Sequence, residues 1–129
     1  MTADHALFAV LDAESLPLEP SDPPARVVAG SPQCAEKVIV AVGDLEIGVW
    51  EVTPGRFLSA KPDIGEVMHF IAGSGTLTHA DGTVTDIGPG VTVSLRPGWS
   101  GEWHVVQTVR KIYAVYPGVG TETSTGPTS

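Results

Sequence analysis

The chain has 129 residues, of which 42% are hydrophobic and only 17% are charged, and its formal net charge is −8. This length suits one domain with a core of its own. Fifteen glycines and eleven prolines are too many for a helical bundle and are typical of short strands joined by tight turns. The acidic charge argues against nucleic-acid binding, which needs clustered lysine and arginine side chains.

The N-terminal region and the cysteine content indicate where the protein works. Acidic residues interrupt the one apolar run near the N-terminus, so we expect neither a signal peptide nor a membrane-spanning segment. Cys34 is the single cysteine, which excludes a disulfide within the chain and fits a reducing compartment. We therefore expect a cytoplasmic protein.

The two ends of the chain differ in composition from its middle. Residues 1–26 are predicted to form an extended N-terminal arm, because four prolines exclude a regular helix there: Pro17, Pro20, Pro23 and Pro24. Residues 118–129 are polar and low in complexity, and we expect this C-terminal tail to be disordered. The folded domain is therefore predicted to span residues 27–117.

Short apolar segments separated by glycine or proline turns fill this domain, and no segment shows a helical period. The turn at Asp81-Gly82 is typical of a tight β-hairpin. The spacing of the segments predicts an all-β sandwich, jelly roll or barrel. The predicted strands are 27–28, 37–42, 45–53, 56–61, 66–72, 76–79, 83–87, 91–95, 102–106 and 109–116.

Two spaced patterns distinguish between these all-β folds. Glu66 is followed by six residues and then Gly73, and Gly90 is followed by five residues and then Arg96-Pro97-Gly98. In these patterns the chain resembles the cupin superfamily (RmlC-like), whose two motifs have these spacings, although Arg96 stands where the second motif has proline. The resemblance covers about residues 27–116. It implies a single-domain double-stranded β-helix, or jelly-roll barrel, with a lumen open at one end.

The chain further resembles a small cupin subfamily related to ureidoglycine aminohydrolase and to the ethanolamine-utilisation cupins. Members of this subfamily are often dimers, so the resemblance implies a homodimer. The segments that carry it are Gly30–Pro32, Gly48–Glu51, Pro54–Phe57, Gly98–Trp103 and Val109–Tyr113.

The positions that hold a metal in many cupins differ here. Such cupins bind a divalent metal through three histidines and a glutamate, and these positions fall on Ser59, Lys61, Gly101 and Glu66. An ammonium group has no lone pair for coordination, and it would place a positive charge where the ion should lie. We therefore expect no metal and no other cofactor.

Glu66 is the centre of the candidate site. A carboxylate that faces an apolar lumen needs a partner to stay ionised. Lys61 is expected on the neighbouring strand and the same face, and Lys111 shares a face with Tyr113 and Val115 by strand alternation. These groups are the candidate acid/base residues: Glu66, Lys61 and Lys111. The alternative is that Glu66 and a lysine form a buried ion pair that replaces the metal and does no chemistry.

Five further residues are expected to contact a ligand: Ser59, Trp50, Trp103, Tyr113 and Met68. The tryptophans could stack on a planar or apolar ligand, and Tyr113 could donate its hydroxyl. The alternative interpretation is that the aromatic residues are ordinary core side chains. A lumen packed solid by its large apolar residues would exclude a ligand altogether.

Three functions remain open from the sequence. The first is a metal-independent cupin that binds or transforms a small polar metabolite in the lumen, with acid/base chemistry of the isomerase, lyase or aminohydrolase type. The second is a non-catalytic binding or accessory cupin, and the third is a metalloenzyme with an unconventional ligand set around Glu66. The sequence does not decide whether the protein is an enzyme. The expected partners are a small-molecule ligand and a second copy of the chain, and neither nucleic acid nor a membrane.

Overall fold

The structure is a computed structural model that describes residues 7–118. These residues form nine β-strands and no helix. They therefore contain no helix that could span a membrane. The strands are β1 Glu19–Ser21, β2 Arg26–Gly30, β3 Cys34–Val42, β4 Leu45–Val52, β5 Gly55–Lys61, β6 Ile64–His79, β7 Val84–Ile87, β8 Thr92–Leu95 and β9 Trp99–Pro117.

The 19-residue strand β9 organises the sheet. Along one edge, residues 109–115 pair with β4 and residues 99–105 pair with β5. Along its other edge it pairs antiparallel with the 16-residue strand β6, which in turn pairs with β7 and β8. The strands β3 and β1 extend the sheet beyond β4, and β2 extends it beyond β5. This is the predicted all-β jelly roll, so the fold prediction is confirmed.

Two pairs of predicted strands are each a single long strand. The segments 66–72 and 76–79 both belong to β6, and the segments 102–106 and 109–116 both belong to β9. Residues 73–75, which separate the two predicted strands 66–72 and 76–79, form shifts in the β6–β9 register and no turn. Gly73 has a positive φ of 91°, and a side chain at Gly73 or Gly75 would collide with the β9 backbone. Glycine therefore allows the two strands to stay paired while they bend.

Trp103 lies at the centre of the apolar core. Its ring stacks on Phe57 at 5.6 Å between centroids and meets the edge of Trp50 at 5.5 Å. Phe70, with its centroid 6.0 Å from that of Trp103, is fully buried beside it. The other buried members of this cluster come from six strands: Cys34, Val52, Met68, Leu77, Ile87, Leu95, Val105 and Val109.

A charged side chain on β9 holds the chain that precedes β1. The guanidinium of Arg110 donates hydrogen bonds to the carbonyl oxygens of Ala13, Glu14 and Leu16, and to the carboxylate of Glu51. Residues 1–6 and 119–129 lie outside the described residues, and the predicted boundaries of the arm, the barrel and the tail stay a prediction.

Candidate functional site

A carboxylate and two ammonium groups meet in the lumen. Lys111 Nζ donates to Glu66 Oε2 at 2.7 Å, and Lys61 Nζ lies 3.1 Å from Glu66 Oε1. Glu66 comes from β6 and Lys111 from β9, where strand alternation points both side chains inward. We call Lys61, Glu66 and Lys111 the ion triad. The structure therefore brings together the three candidate acid/base residues.

Lys61 reaches Glu66 by a route that differs from the predicted one. It was expected on the strand next to β6, but β5 pairs with β9 and β2 instead. Lys61 is the last residue of β5, and only Pro62 and Asp63 separate it from β6. Both side chains line the same lumen, where Lys61 meets Glu66 without a ladder between their strands.

The ion triad is buried to different degrees. The side chains of Glu66 and Lys111 are 4% and 6% exposed, whereas that of Lys61 is 23% exposed. Burial opposes the charge on Glu66, but the ammonium groups of Lys111 and Lys61 outweigh it and hold the pKa of Glu66 below its usual value. For Lys111, burial lowers the pKa of the ammonium group, and the carboxylate of Glu66 opposes that shift.

Aromatic rings and a sulfur atom surround the ammonium of Lys111. Its Nζ lies 4.4 Å from the ring centroid of Trp50, 5.0 Å from that of Trp103 and 3.1 Å from Met68 Sδ. The two indole faces stabilise the buried cation through cation–π attraction. Met68 is fully buried beside Lys111 and does not line the adjoining cavity.

A cavity of about 210 Å³ opens beside the ion triad. The lumen is therefore not packed solid, although Phe57, Met68 and Trp103 are buried in the core. Seven of the eight candidate residues line this cavity: Trp50, Ser59, Lys61, Glu66, Trp103, Lys111 and Tyr113. A second cavity of about 400 Å³ shares Trp50, Phe57 and Ser59 with it and extends to residues 22–26.

Two further carboxylates line the cavity and were not among the sequence candidates. The Tyr113 hydroxyl lies 2.7 Å from Glu46 Oε2 and also forms a short hydrogen bond with the carboxylate of Glu36. Burial, together with these two carboxylates, raises the pKa of Tyr113, so its phenol keeps its proton. We call Glu36, Glu46 and the Tyr113 hydroxyl the acidic rim. Both glutamates of the rim are half-buried, as Lys61 is, whereas Tyr113 is buried.

Strand alternation contained a signal for one of these residues. Glu46 lies on the same face of β4 as Gly48 and Trp50, so it had to face the lumen as they do. Gly48 makes room for the rim, since a Cβ there would lie 2.7 Å from the Tyr113 hydroxyl. Glu36 precedes the strand predicted at 37–42, whereas the observed strand β3 begins at Cys34.

The sequence from residue 40 to residue 113 matches the family of EutQ-like cupin domains. The chain belongs to this family. The predicted cupin membership is thereby confirmed, and it agrees with the jelly roll and with an inward-facing Glu66. No protein of curated function matches the sequence.

Several solved structures resemble this cupin. A protein of unknown function from Pseudomonas syringae pv. tomato is 34% identical, with a TM-score of 0.71 over 81% of this chain. This chain spans only 46% of that protein's length. The EutQ protein of Clostridium difficile is 21% identical, with a TM-score of 0.59 over 67% of this chain and 70% of its own. Ectoine synthase from P. lautus is 15% identical, with a TM-score of 0.61 over 71% of this chain and 70% of its own. The last two similarities show a shared fold.

The residues at the metal position of this cupin do not fit a metal ion. Two ammonium groups hold both oxygens of Glu66, and an ammonium cannot act as a ligand. A Cβ at Gly101 would lie 2.5 Å from the carbonyl oxygen of Thr78, so a side chain has no room there. Within residues 7–118, no three histidine, cysteine, aspartate or glutamate side chains form a group that could bind a metal.

The two histidines of β6 serve elsewhere in the fold. His69 is exposed on the outer face of β6 and bonds to the Thr92 hydroxyl. His79 accepts a hydrogen bond from the Trp99 indole at 2.9 Å, and its other ring nitrogen contacts Thr85. Neither ring belongs to the ion triad.

Cys34 lies outside the strands predicted from the sequence, at 27–28 and 37–42, but the structure places it in a strand. It is the first residue of β3 and its side chain is buried in the core. Burial raises the pKa of the Cys34 thiol to about 11, and Lys111 opposes this shift only in part. The thiol therefore stays protonated near neutral pH and is a poor nucleophile.

Proposed function

We propose that this cupin binds a small polar metabolite in the cavity beside the ion triad and exchanges a proton with it through Lys61, without a metal. One observation carries the proposal. All three members of the ion triad line the cavity, but the side chain of Lys61 is 23% exposed, whereas those of Glu66 and Lys111 are 4% and 6% exposed. Lys61 is therefore the member of the triad that is most accessible to a ligand.

The two lysines have different roles in this proposal. Lys111 is held by Glu66, Met68 and two indole rings, so it fixes the position and the charge of Glu66. Lys61 carries three N–H donors, and Glu66 is the partner that the described residues provide for one of them. The remaining donors can bind an anionic or carbonyl group of the ligand.

The proton exchange follows from the same geometry. The ammonium of Lys61 can give a proton to a ligand oxygen or nitrogen, and the resulting amine can take one from a C–H or N–H group. Glu66 stays next to Lys61 in both states and favours return of the proton to the amine. Isomerase, lyase and aminohydrolase reactions all need a proton to move in this way.

The walls of the cavity limit the size of the ligand. A volume of about 210 Å³ is below the roughly 300–1,000 Å³ common for drug-sized ligands. The faces of Trp50, Phe57 and Trp103 provide apolar surface beside the charged groups. A ligand of a few carbon atoms with one or two polar groups fits this lining.

A non-catalytic binding cupin is the second candidate function. The buried Glu66–Lys111 pair favours it, because both charges are neutralised inside the fold and Lys111 is almost inaccessible. In this case Lys61 would bind an anionic group and keep its proton throughout.

Deuterium exchange separates the two functions. The wild-type protein would be mixed in D₂O with short amino and hydroxy carboxylates as probes, with binding measured by thermal shift and exchange of carbon-bound hydrogen by NMR. Lys61→Arg keeps the charge but cannot release a proton near neutral pH, so it should bind the probes without exchange. Lys61→Met should neither bind the probes nor catalyse the exchange. Wild type treated with a chelator should still bind the probes and catalyse the exchange.

A matched control is Ser94→Ala, which alters an exposed position on β8 away from the cavity. It should behave as the wild type in both measurements. Binding without exchange in the wild type would favour the non-catalytic function. Unchanged probe binding by Lys61→Met would contradict both candidates, and loss of function after chelation would point to a metalloenzyme.

We also propose the homodimer that the family resemblance implies. It is supported by a run of exposed apolar side chains along β3, on both faces of the strand: Val38, Ile39, Val40 and Val42. Light scattering after size exclusion should give twice the chain mass, and Val40→Asp should lower it. A monomeric wild type at micromolar concentration would contradict the prediction.

A further inference from the structure

The cavity has two ends of opposite charge. At one end the ion triad carries two ammonium groups and one carboxylate, a formal charge of +1. At the other end the acidic rim carries two carboxylates around a neutral phenol, a formal charge of −2. Both groups line the same space of about 210 Å³.

The acidic rim has one hydrogen-bond donor for two carboxylates. Glu36 and Glu46 both contact the hydroxyl of Tyr113, and a hydroxyl has a single proton to give. One of the two carboxylates therefore faces an oxygen lone pair across a short distance. Two negative groups this close repel each other, and a proton or an external cation between them relieves the repulsion. A ligand ammonium group brings both the missing donors and the compensating charge.

The remainder of the site leaves Glu36 and Glu46 available for this role. Neither carboxylate is held by a lysine or arginine among residues 7–118, in contrast with Glu51, Glu66 and Glu102. Because Gly48 has no side chain, there is room for the Tyr113 hydroxyl beside it. The hydroxyl and the two carboxylates that contact it, Glu36 and Glu46, therefore lie at the wall of the cavity.

The spacing of the two ends fits a short ligand. Lys111 and Tyr113 are two residues apart on one face of β9, which corresponds to about 7 Å along the strand. Lys111 Nζ lies 5.9 Å from the ring centroid of Tyr113, so one phenol ring bridges the distance between the ends. The apolar atoms of Trp50, Phe57 and Val115 line the same cavity.

We propose that the cavity selects a small zwitterion, with its anionic group on Lys61 and its ammonium group between Glu36 and Glu46. The selection rests on the proposed function, since it names the class of ligand for the same cavity. An amino carboxylate with a few methylene groups between its charges has the required chemistry.

Three probe pairs test the proposal: 3-aminopropanoate with propanoate, 4-aminobutanoate with butanoate, and 5-aminopentanoate with pentanoate. Butylamine serves as the probe with a cation alone. Binding to the full chain is measured by calorimetry. At least one amino carboxylate should bind about tenfold or more tightly than its matching carboxylate and than butylamine, the effect expected of a charge-assisted hydrogen bond.

The variants Glu36→Gln and Glu46→Gln keep the size of each side chain and remove its charge. Each should lower the affinity for the amino carboxylate toward that of the matching carboxylate, while carboxylate binding stays the same or improves. Lys61→Met should weaken binding of both. Asp86→Asn, an exposed position on β7, is the matched control and should change neither.

The outcomes separate this inference from the function on which it rests. Equal binding of amino carboxylate and carboxylate, with loss of both in Lys61→Met and no effect of the glutamate variants, would overturn the zwitterion and leave the proposed function standing. A rim that simply shares a proton between Glu36 and Glu46 would give that result. If no probe binds the wild type and Lys61→Met gives the same result as the wild type, both the zwitterion proposal and the proposed function are overturned.

Discussion

The two halves of β9 line the same lumen with opposite chemistry. Residues 99–105 face it with Trp103 and Val105, which are 3% and 2% exposed and pack against apolar partners. Residues 109–115 face it with Lys111 and Tyr113, which meet carboxylates and line a cavity. Trp103 forms the boundary, since it packs in the core and lies 5.0 Å from Lys111 Nζ.

This difference shows where the fold is stabilised and where it can bind. The apolar half gains stability from burial alone, with no charge to desolvate. In the other half, charges are placed where burial is costly, and their mutual attraction offsets that cost only while every partner is present. A site built this way is sensitive to the loss of one group, and its remaining accessible charges are free to recognise a ligand.

Trp103→Ala tests the apolar half and should have the largest effect. Removing a buried indole leaves a void between Phe57, Phe70 and Trp50 that the surrounding strands cannot fill. We expect a loss of about 3–5 kcal/mol in the free energy of unfolding. Urea denaturation followed by circular dichroism measures it.

The control for this variant is Val106→Ala on the same strand, where the side chain is 58% exposed. It should change the unfolding free energy by less than about 0.5 kcal/mol. Nearly equal losses for the two variants would mean that the packing around Trp103 does not stabilise the fold as described.

Glu66→Leu tests the charged half. It leaves the ammonium of Lys111 in the core without its carboxylate, and removal of one partner from a buried pair costs about 3–5 kcal/mol. We expect about 3 kcal/mol, because Lys61 can turn toward water and Lys111 can lose its proton. The same urea titration measures the change.

The double variant Glu66→Leu with Lys111→Met provides the matched control. It removes both members of the pair, so it should recover most of the stability that Glu66→Leu loses. A double variant no more stable than Glu66→Leu would show that the single variant fails because of packing, and not because a charge is left unpaired.

Local patterns in the sequence were enough to predict the fold and the residues at the centre of the candidate site. Glycine and proline turns give the all-β class, and the spacing from Glu66 to Gly73 gives the cupin resemblance. Strand alternation places Lys111 and Tyr113 on one face, which the structure bears out. These inferences need only residues that are neighbours in sequence.

The acidic rim could not be found in the same way, because it depends on pairing between distant strands. Glu36 meets Tyr113 only after β3 pairs with β4 and β4 pairs with β9. The contact of Lys61 with Glu66 likewise depends on how the sheet curls, since β5 and β6 have no ladder between them. Sequence spacing carries no information about such curvature.

The pH dependence of stability should also distinguish the apolar half of β9 from the charged half. We expect this effect to be smaller than those of Trp103→Ala and Glu66→Leu. The pKa of Glu66 is lower in the folded chain than the ordinary value of 4.5, since two ammonium groups outweigh its burial. As the pH falls below 4.5, the unfolded chain therefore takes up this proton before the folded chain does. The contribution of Glu66 to the free energy of unfolding is complete above pH 4.5, and it is lost as the pH falls through the pKa of Glu66 in the folded chain.

One such group changes the unfolding free energy by at most about 1.4 kcal/mol per pH unit. Trp103→Ala should shift the whole curve of stability against pH downward and leave its acid limb as steep as in the wild type. Glu66→Leu with Lys111→Met should flatten that limb.

Asp81 also has a lowered pKa, from hydrogen bonds with Thr83, so Asp81→Asn must be measured as the control for a charge outside the lumen. An acid limb equally steep in the double variant would mean that the buried pair does not govern acid unfolding, and that the charged half differs from the apolar half in ligand recognition alone.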